Sequence, residues 1–411
     1  MIEKQSKLPN PAFVLGGSLN ALGIIRALGR EGVPVFQVYH SRDTIASASR
    51  YARFLLSPHP ENQPDEFLRF LLGKVPDKQT PGVLIPTSDM MALFLARYGE
   101  QLTEHFRFVL PDSRLIEKFA SKEGFDELAL QHDFPVPQTF VPKSIQDVEE
   151  ISRKLDYPCI IKPFYSHKWR DPRIVERYGW IKVLQINNEK ELREHYAYLA
   201  QVDPRVVIQE YIHGDDASNF SLHIYISRTG EKVITFVGQK IRVAPIHYGV
   251  GACVRSVREP EMEELGKNFL LKVGYRGMAV INFKKDPIRK KIYGIELNPR
   301  FSLWNYLDYA SGINFAYLYY LDSLGFPLPD VPEYQENVKW ISIEKDLSAL
   351  FSYRKEGAIT FREWLRSYQG KKAFAEFAMD DPLPFVKWIG KMSWIVLSGG
   401  SRRIFKKFFC R

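Results

Sequence analysis

Residues 12–110 alternate between short apolar runs and helical stretches, and this alternation constrains the fold more than any other feature. The run "AFVLGG" is followed by "SLNALGIIRALGREG" and "VPVFQVY", and a second unit consists of "GVLIPTS", "DMMALFLARYGEQL" and "FRFVLP". Strands that alternate with helices lie parallel, because each helix returns the chain to the start of the next strand. The pattern therefore predicts an α/β protein that begins with a parallel sheet.

Beyond residue 115 the pattern predicts helices between strands that turn back on themselves. One long helix is expected over "RLIEKFASKEGFDELALQHD", and further helices over "IQDVEEISRKLD", "NEKELREHYAYLAQ" and "EPEMEELGKNFLLKVG". Strands are expected at "CIIKP" and "RVVIQEYI", in the meander "NFSLHIYISRTGEKVITFVGQKIR" and in the hairpin "GMAVINFKKDPIRKKIYGIELNPRF". The proline-rich turn "PLPDVPEY" is typical of a domain boundary.

Composition excludes several classes of protein. The 411 residues are 45% hydrophobic and 26% charged, as in a soluble globular protein of two or three domains. The three cysteines are far apart and form no CxxC motif, which argues against a disulfide framework or a zinc site and favours a reducing compartment such as the cytoplasm. The polar start "MIEKQSKLPN" does not have the layout of a signal peptide.

The net charge of +9 is concentrated in one segment. Residues 382–411 contain no Asp or Glu and seven cations: Lys387, Lys391, Arg402, Arg403, Lys406, Lys407 and Arg411. The basic character is thus a property of this tail, and we expect no nucleic-acid surface. Aromatic residues alternate with the cations, so the tail suits an anionic membrane surface, while a helix that packs back on the body is an equal alternative.

Two motifs carry little information on their own. The turn "GGSLNALG", with Gly16, Gly17 and Gly23, lacks the full GxGxxG spacing and favours a tight strand-to-helix turn over a dinucleotide site. Lys162 stands in the apolar strand "CIIKP", where a lone lysine can reach the strand edge or meet a negatively charged group.

The order of the motifs is more specific than any one of them. Lys122 precedes "PVP", Lys162 follows in "CIIKP", "QEYIHGDD" comes next, and "GIELNPR" closes a hairpin. In this order the sequence resembles the ATP-grasp superfamily over residues 12–325, and most closely its carboligase branch with the D-aspartate ligase-like carboxylate–amine ligases.

The resemblance implies a domain plan. A Rossmann-like parallel α/β domain is expected over residues 1–115 and a two-lobed α+β ATP-grasp domain over 116–330. The small lobe would cover 116–208 and the large lobe 209–330. A C-terminal extension with a basic amphipathic tail would occupy 331–411.

The resemblance also implies a nucleotide site. A buried lysine is tolerable where phosphate will bind, and by resemblance Lys122 and Lys162 are the two phosphate lysines. Gln209 and the main chain of Glu210 and Ile212 would recognise adenine. Asp216 would receive the ribose hydroxyls, although "HGDD" taken alone favours a solvated turn.

Glu296 and Asn298 are the strongest chemical signal. Residues i and i+2 of a strand share a face, and a carboxylate and an amide oxygen beside phosphates suit Mg²⁺. Arg300 continues that face and would neutralise charge that develops on a transferred phosphoryl group. The family usually has an Asp or Glu where this chain has Asn282, which can ligate Mg²⁺ without adding charge. Asp286 is a weaker candidate ligand.

Several cations near these motifs are open to two interpretations. The loop after Lys162 is rich in glycine in many relatives, but here it has the side chains of His167, Lys168 and Trp169. His167 and Lys182 are candidates to contact the phosphates, and Lys240 and Arg242 are candidate catalytic cations for an acyl phosphate or a substrate carboxylate. A surface role is equally compatible with each cation.

Together these features predict an ADP-forming, ATP- and Mg²⁺-dependent ligase that joins a small-molecule carboxylate to an amine, as a monomer or a homodimer. Two alternatives remain: a phosphotransferase on the same scaffold, and a nucleotide-binding, membrane-associated protein with weakened catalysis.

Overall fold

The computed structural model describes residues 9–74, 79–164, 168–179, 181 and 183–397, without the side chains of Lys122 and residues 395–397. Within this part, the strands are β1 (Ala12–Leu15), β2 (Val35–Tyr39), β3 (Ala52–Leu56), β4 (Gly82–Pro86), β5 (Phe106–Arg107), β6 (Thr139–Phe140), β7 (Cys159–Pro163), β8 (Leu184–Ile186), β9 (Val206–Glu210), β10 (Asn219–Ile226), β11 (Val233–Ala244), β12 (Val250–Val257), β13 (Gly277–Asp286), β14 (Lys291–Asn298), β15 (Lys339–Ile341) and β16 (Lys372–Phe374). The α-helices are α1 (Leu19–Arg30), α2 (Pro64–Leu72), α3 (Asp89–Arg97), α4 (Gly99–Thr103), α5 (Ser113–Phe119), α6 (Lys122–Gln131), α7 (Ile145–Ser152), α8 (Pro172–Tyr178), α9 (Glu189–Leu199), α10 (Pro260–Lys272), α11 (Tyr306–Ser311), α12 (Phe315–Ser323), α13 (Ile343–Lys355), α14 (Phe361–Arg366) and α15 (Leu383–Leu397).

The N-terminal part is a parallel sheet with helices on both faces, as the sequence predicts. Its order is β3-β2-β1-β4-β5, and every pairing is parallel. Successive residues of β1 alternate between two cores: Ala12 and Val14 pack with α1 on one face, whereas Phe13 and Leu15 pack with α2 and α3 on the other. A strand covered on both faces is apolar throughout, which explains the continuous run "AFVL".

A small antiparallel sheet follows in the order β6-β9-β7-β8. Cys159 and Ile161 pack inward against α7 and α9, so Lys162 lies on the other side of β7. The single long helix predicted before this sheet is wrong, because the chain forms α5 and α6 with a break between them. Ser121 caps α6 by accepting a hydrogen bond from the Gly124 N–H at 3.0 Å, and a side chain at Gly124 would collide with the Lys118 carbonyl.

The third sheet has the order β14-β13-β10-β11-β12-β15-β16, and all its pairings are antiparallel except β15 with β16. Leu222 and Ile224 of β10 pack against α10, whereas Ser221 and His223 point to the opposite face. Strands β15 and β16 lie beyond residue 330, so the C-terminal extension completes this sheet. The connection between β11 and β12 is short, because β11 ends at Ala244 and β12 begins at Val250.

Candidate active site

Polar side chains gather on the face of the β13–β14 pair that is opposite α10, at the middle of β13 and the end of β14. Asn282 is directly opposite Glu296 in the strand register and donates its Nδ2–H to Glu296 Oε1 at 2.5 Å. Asn298 lies two residues further along β14, and its Nδ2 is 3.5 Å from the same oxygen. The period of two thus places Glu296 and Asn298 side by side, with Glu296 exposed to a ligand.

The surroundings of Glu296 favour its ionised form. Protein atoms around the side chain displace part of its water and so oppose ionisation, but the positive charge of Lys240, the hydrogen bond from Asn282 and the charge of Arg300 outweigh this effect and hold the pKa of Glu296 below its ordinary value. Glu296 is therefore a carboxylate at neutral pH, the form that a cation requires.

Arg300 joins this cluster to the N-terminal sheet. Its Nη2 donates to Asn298 Oδ1 at 2.8 Å, and its Nε donates to Asp89 Oδ1 at 3.1 Å. Asp89 begins α3, directly after Ser88, which caps that helix by accepting from the Met91 N–H. The carboxyl end of β4 and the end of β14 thus meet at one ion pair, with Arg300 only partly exposed.

The oxygens near Glu296 fit Mg²⁺ held jointly with phosphates. Magnesium is commonly bound through one or two carboxylates, with phosphates and waters completing its shell. Glu296 provides the carboxylate. Asn298 turns its amide nitrogen to Glu296 and its Oδ1 to Arg300, so it would offer an oxygen beside Glu296 after rotation of its amide. Asn282 at present turns its amide nitrogen to Glu296, while its Oδ1 accepts from Ser221 Oγ at 2.5 Å. Rotating that amide by half a turn would bring its oxygen to Glu296 and leave Ser221 Oγ as an acceptor.

Lys162 has a defined place in the small sheet. Its Nζ donates to Gln209 Oε1 at 2.6 Å, and Gln209 Nε2 in turn donates to Thr139 Oγ1 at 2.8 Å. Because Gln209 is buried, this chain of hydrogen bonds across β7, β9 and β6 fixes the lysine head without neutralising it. A positioned ammonium of this kind is suited to a phosphate.

The chain is similar to known proteins in sequence and in fold. The D-aspartate ligase of Enterococcus faecium is 24% identical over 328 residues, which are 77% of this chain and 76% of that protein. N5-carboxyaminoimidazole synthetase from Staphylococcus aureus superposes with a TM-score of 0.61 at 16% identity, covering 80% of this chain and 81% of that one. L-amino acid ligase from Bacillus licheniformis has a TM-score of 0.58 at 16% identity, with 78% and 75% covered. These relatives support the resemblance to the ATP-grasp superfamily, and the solved structures share the fold of this chain. No family model matches it.

The segment after β9 is engaged by protein groups. Glu210 accepts from the Gln138 N–H and pairs with Arg289 at 2.8 Å, and Ile212 is buried. Both functional atoms of Gln209 are engaged by Lys162 and Thr139, so its side chain positions Lys162, and its contact with adenine stays a prediction. Asp286 accepts the N–H groups of its own turn and of His213, and is therefore no metal ligand in this arrangement.

The carboxylate of Asp216, which is predicted to receive the ribose hydroxyls, already accepts hydrogen bonds from the protein. Its Oδ2 accepts from Tyr353 Oη at 2.5 Å and from the His247 N–H at 2.9 Å. The loop that follows β11 and the helix α13 of the extension therefore both attach to this carboxylate. A ribose hydroxyl would have to use the remaining oxygen or displace Tyr353.

Arg242 is separated from the cluster that Lys240 helps to form. Arg242 is buried and donates from Nε and Nη2 to the two oxygens of Asp346 at 2.7 and 2.9 Å, with Nη1 on Ser367. This ion pair attaches β11 to the C-terminal extension, so the structure gives Arg242 a structural role in place of the catalytic one.

The remaining candidates lie in or near the loop after Lys162. Trp169 packs into the core of the small lobe, so it does not cover a phosphate, and Lys168 begins the short 3₁₀ turn Lys168–Arg170. His167, Lys182 and the side chain of Lys122 lie outside the described residues. Their proposed contacts with phosphate remain predictions.

Replacing Asn282 with Asp is expected to lower the Mg²⁺ concentration needed for half-maximal activity by about tenfold, because a charged ligand is added beside Glu296. The measurement is the rate of ADP formation as a function of Mg²⁺ at saturating ATP. Asn268→Asp, on the exposed side of α10, is the matched control and should change nothing. An unchanged Mg²⁺ dependence in Asn282→Asp would remove position 282 from the metal site.

Proposed function

We propose that this ligase joins a small-molecule carboxylate to an amine on an amino acid or an amino-acid-like compound, using ATP and Mg²⁺. The observation that carries the proposal is the row of Glu296, Asn298 and Arg300, which continues to Asp89 of the N-terminal sheet. D-aspartate ligase, and an L-amino acid ligase among the structural neighbours, support an amino-acid substrate. Solved neighbours in complex with ADP and with MgADP support the nucleotide and the metal.

The proposed reaction has two steps. A substrate carboxylate oxygen attacks the γ-phosphorus of ATP, the bond to the β-phosphate oxygen breaks, and ADP and an acyl phosphate form. The amine nitrogen then attacks the acyl carbon, the carbon–oxygen bond to phosphate breaks, and the amine loses a proton. The products are an amide, ADP and phosphate.

The side chains would act by position and charge. Bound Mg²⁺ would neutralise charge on the phosphates. Glu296 would present a carboxylate oxygen to a cation, Asn298 would add its amide oxygen after rotation of the amide, and Lys162 would present its ammonium to phosphate oxygens. Arg300 lies between Asn298 and Asp89, where its guanidinium would stabilise negative charge that develops on the transferred phosphoryl group. None of these steps requires a nucleophilic side chain.

A coupled assay tests the proposal. ADP and phosphate should appear only when both an acid and an amine are supplied, and an amide should form in equal amount. ADP formation with the acid alone and a stable phosphorylated product would establish the phosphotransferase alternative. AMP and pyrophosphate as products would rule out the acyl-phosphate route.

Weakened catalysis is the second candidate, and two observations favour it. Asn282 brings no charge beside Glu296, and Asp216 is already held by Tyr353 and His247. If the protein binds nucleotide with weakened catalysis, Lys162→Met should abolish ATP binding, measured by calorimetry, and leave the biological activity intact. For either candidate we propose the cytoplasm as the compartment.

A further inference from the structure

Helix α15 packs against the N-terminal domain and also contacts α13. Lys387 Nζ donates to the Arg42 carbonyl and to Ser47 Oγ, both at 2.7 Å, and Lys391 pairs with Asp43 at 2.7 Å. Trp388 donates its Nε1–H to Glu344 of α13 at 3.1 Å. The cations of the described helix are therefore bound to the protein.

The outward side of α15 is apolar. Leu383, Val386, Ile389 and Trp394 are exposed by 54%, 59%, 44% and 70%. Their spacing places them on one face of the helix. A helix packed on a water-soluble body normally turns its polar side to solvent. Here both lysines are bound to groups of the protein, although Lys391 stays 43% exposed, and the four large apolar groups turn to solvent, so this outward face is suited to a partner that is itself apolar.

The charge around this face specifies the partner further. From residue 382 onward the sequence has no acidic residue, and residues 398–411 add five cations and the apolar residues Ile404, Phe405, Phe408 and Phe409. A second copy of α15 would bring cations against cations. The chain's own last residues would bring those five charges onto an apolar surface. An anionic lipid surface offers both an apolar layer and negative charge.

We propose that the outward face of α15 docks this ligase on an anionic membrane surface. The helix lies along the interface with Leu383, Val386, Ile389 and Trp394 among the lipid chains, and the negative charge of the surface matches the basic sequence that follows α15. No described helix has the length and apolarity needed to cross a bilayer. This inference is independent of the proposed reaction, since it concerns where the enzyme is held and not what it joins.

The test is co-flotation of the full chain with phosphatidylcholine vesicles, with and without phosphatidylglycerol. Wild type should float with the anionic vesicles, and the Val386→Glu/Ile389→Glu variant should lose about tenfold or more of that binding, because two exposed apolar side chains that insert among the lipid chains become charged. Leu56→Glu/Leu130→Glu makes the same change at two exposed apolar residues elsewhere and should bind as wild type does. Matching unfolding midpoints will show that both variants are folded.

Three results would overturn the proposal. One is equal binding of the wild type and the Val386→Glu/Ile389→Glu variant. Another is a loss of self-association in that variant, measured by sedimentation, without any vesicle binding by the wild type. The third is that a chain ending at Leu397 fails to bind while the double variant of the full chain binds normally, because the last residues would then act alone. ADP formation in solution is unaffected by these outcomes and tests the reaction separately.

Discussion

Glu296→Gln is expected to reduce the rate of ADP formation by about 10³-fold or more, since it removes the charge that holds a cation at the phosphates. Among the described residues, no group of three or more His, Cys, Asp or Glu side chains could hold a metal ion. Glu296 is consequently the carboxylate on which a cation between Asn282 and Asn298 would depend. Glutamine preserves the shape and the hydrogen bond with Asn282, so the fold should be unchanged.

The experiment compares steady-state ADP formation in wild type, Glu296→Gln and Glu264→Gln. Glu264 is an exposed carboxylate on α10 that contacts Lys267 and Asn268, and its replacement should leave the rate unchanged. Raising Mg²⁺ should not restore Glu296→Gln to the wild-type rate. If Glu296→Gln retains more than about a tenth of the rate, the row of Glu296, Asn298 and Arg300 is not the catalytic centre.

The parallel sheet and the shared face of Glu296 and Asn298 could be predicted because the sequence patterns that indicate them are local. Alternation of strands and helices indicates the parallel sheet, and the period of two indicates that Glu296 and Asn298 share a face. The resemblance carried by the order of the motifs then supplied the superfamily. These inferences need only residues that are close in sequence or a motif order that can be recognised.

The contacts that decide individual roles could not be predicted, because their partners are distant in sequence. Arg242 meets Asp346 and Arg300 meets Asp89 only after three sheets have packed together. A cation in a strand has the same local pattern whether it faces a phosphate or a buried carboxylate. The break between α5 and α6 has a local cause. Ser121 lies within a continuous helical pattern, and its side chain caps a new helix there, so the pattern alone predicts one helix where the chain forms two.

The C-terminal extension is bound to the N-terminal domain at a buried ion pair. Arg26 of α1 donates its Nε–H to Asp381 Oδ2 at 2.9 Å, and its other nitrogens donate to the carbonyls of Ala375, Glu376 and Asp381. Asp381 also accepts from Ser49 Oγ and from the Arg50 N–H. Both charged side chains are fully buried. If one of the two side chains is removed, water therefore cannot solvate the charge that remains.

Arg26→Met is expected to lower the free energy of unfolding by about 3–5 kcal/mol, because it leaves the Asp381 carboxylate buried without a counter-charge. Arg30→Met is the matched control one turn later on α1: its partner Asp380 is 43% exposed, and the Arg30 side chain 18%, so its loss should cost about 1 kcal/mol or less. Urea denaturation measures both. Adding Asp381→Asn to Arg26→Met should recover part of the loss, since the unpaired charge is then gone. Equal losses in Arg26→Met and Arg30→Met would show that the buried pair does not hold the extension in place.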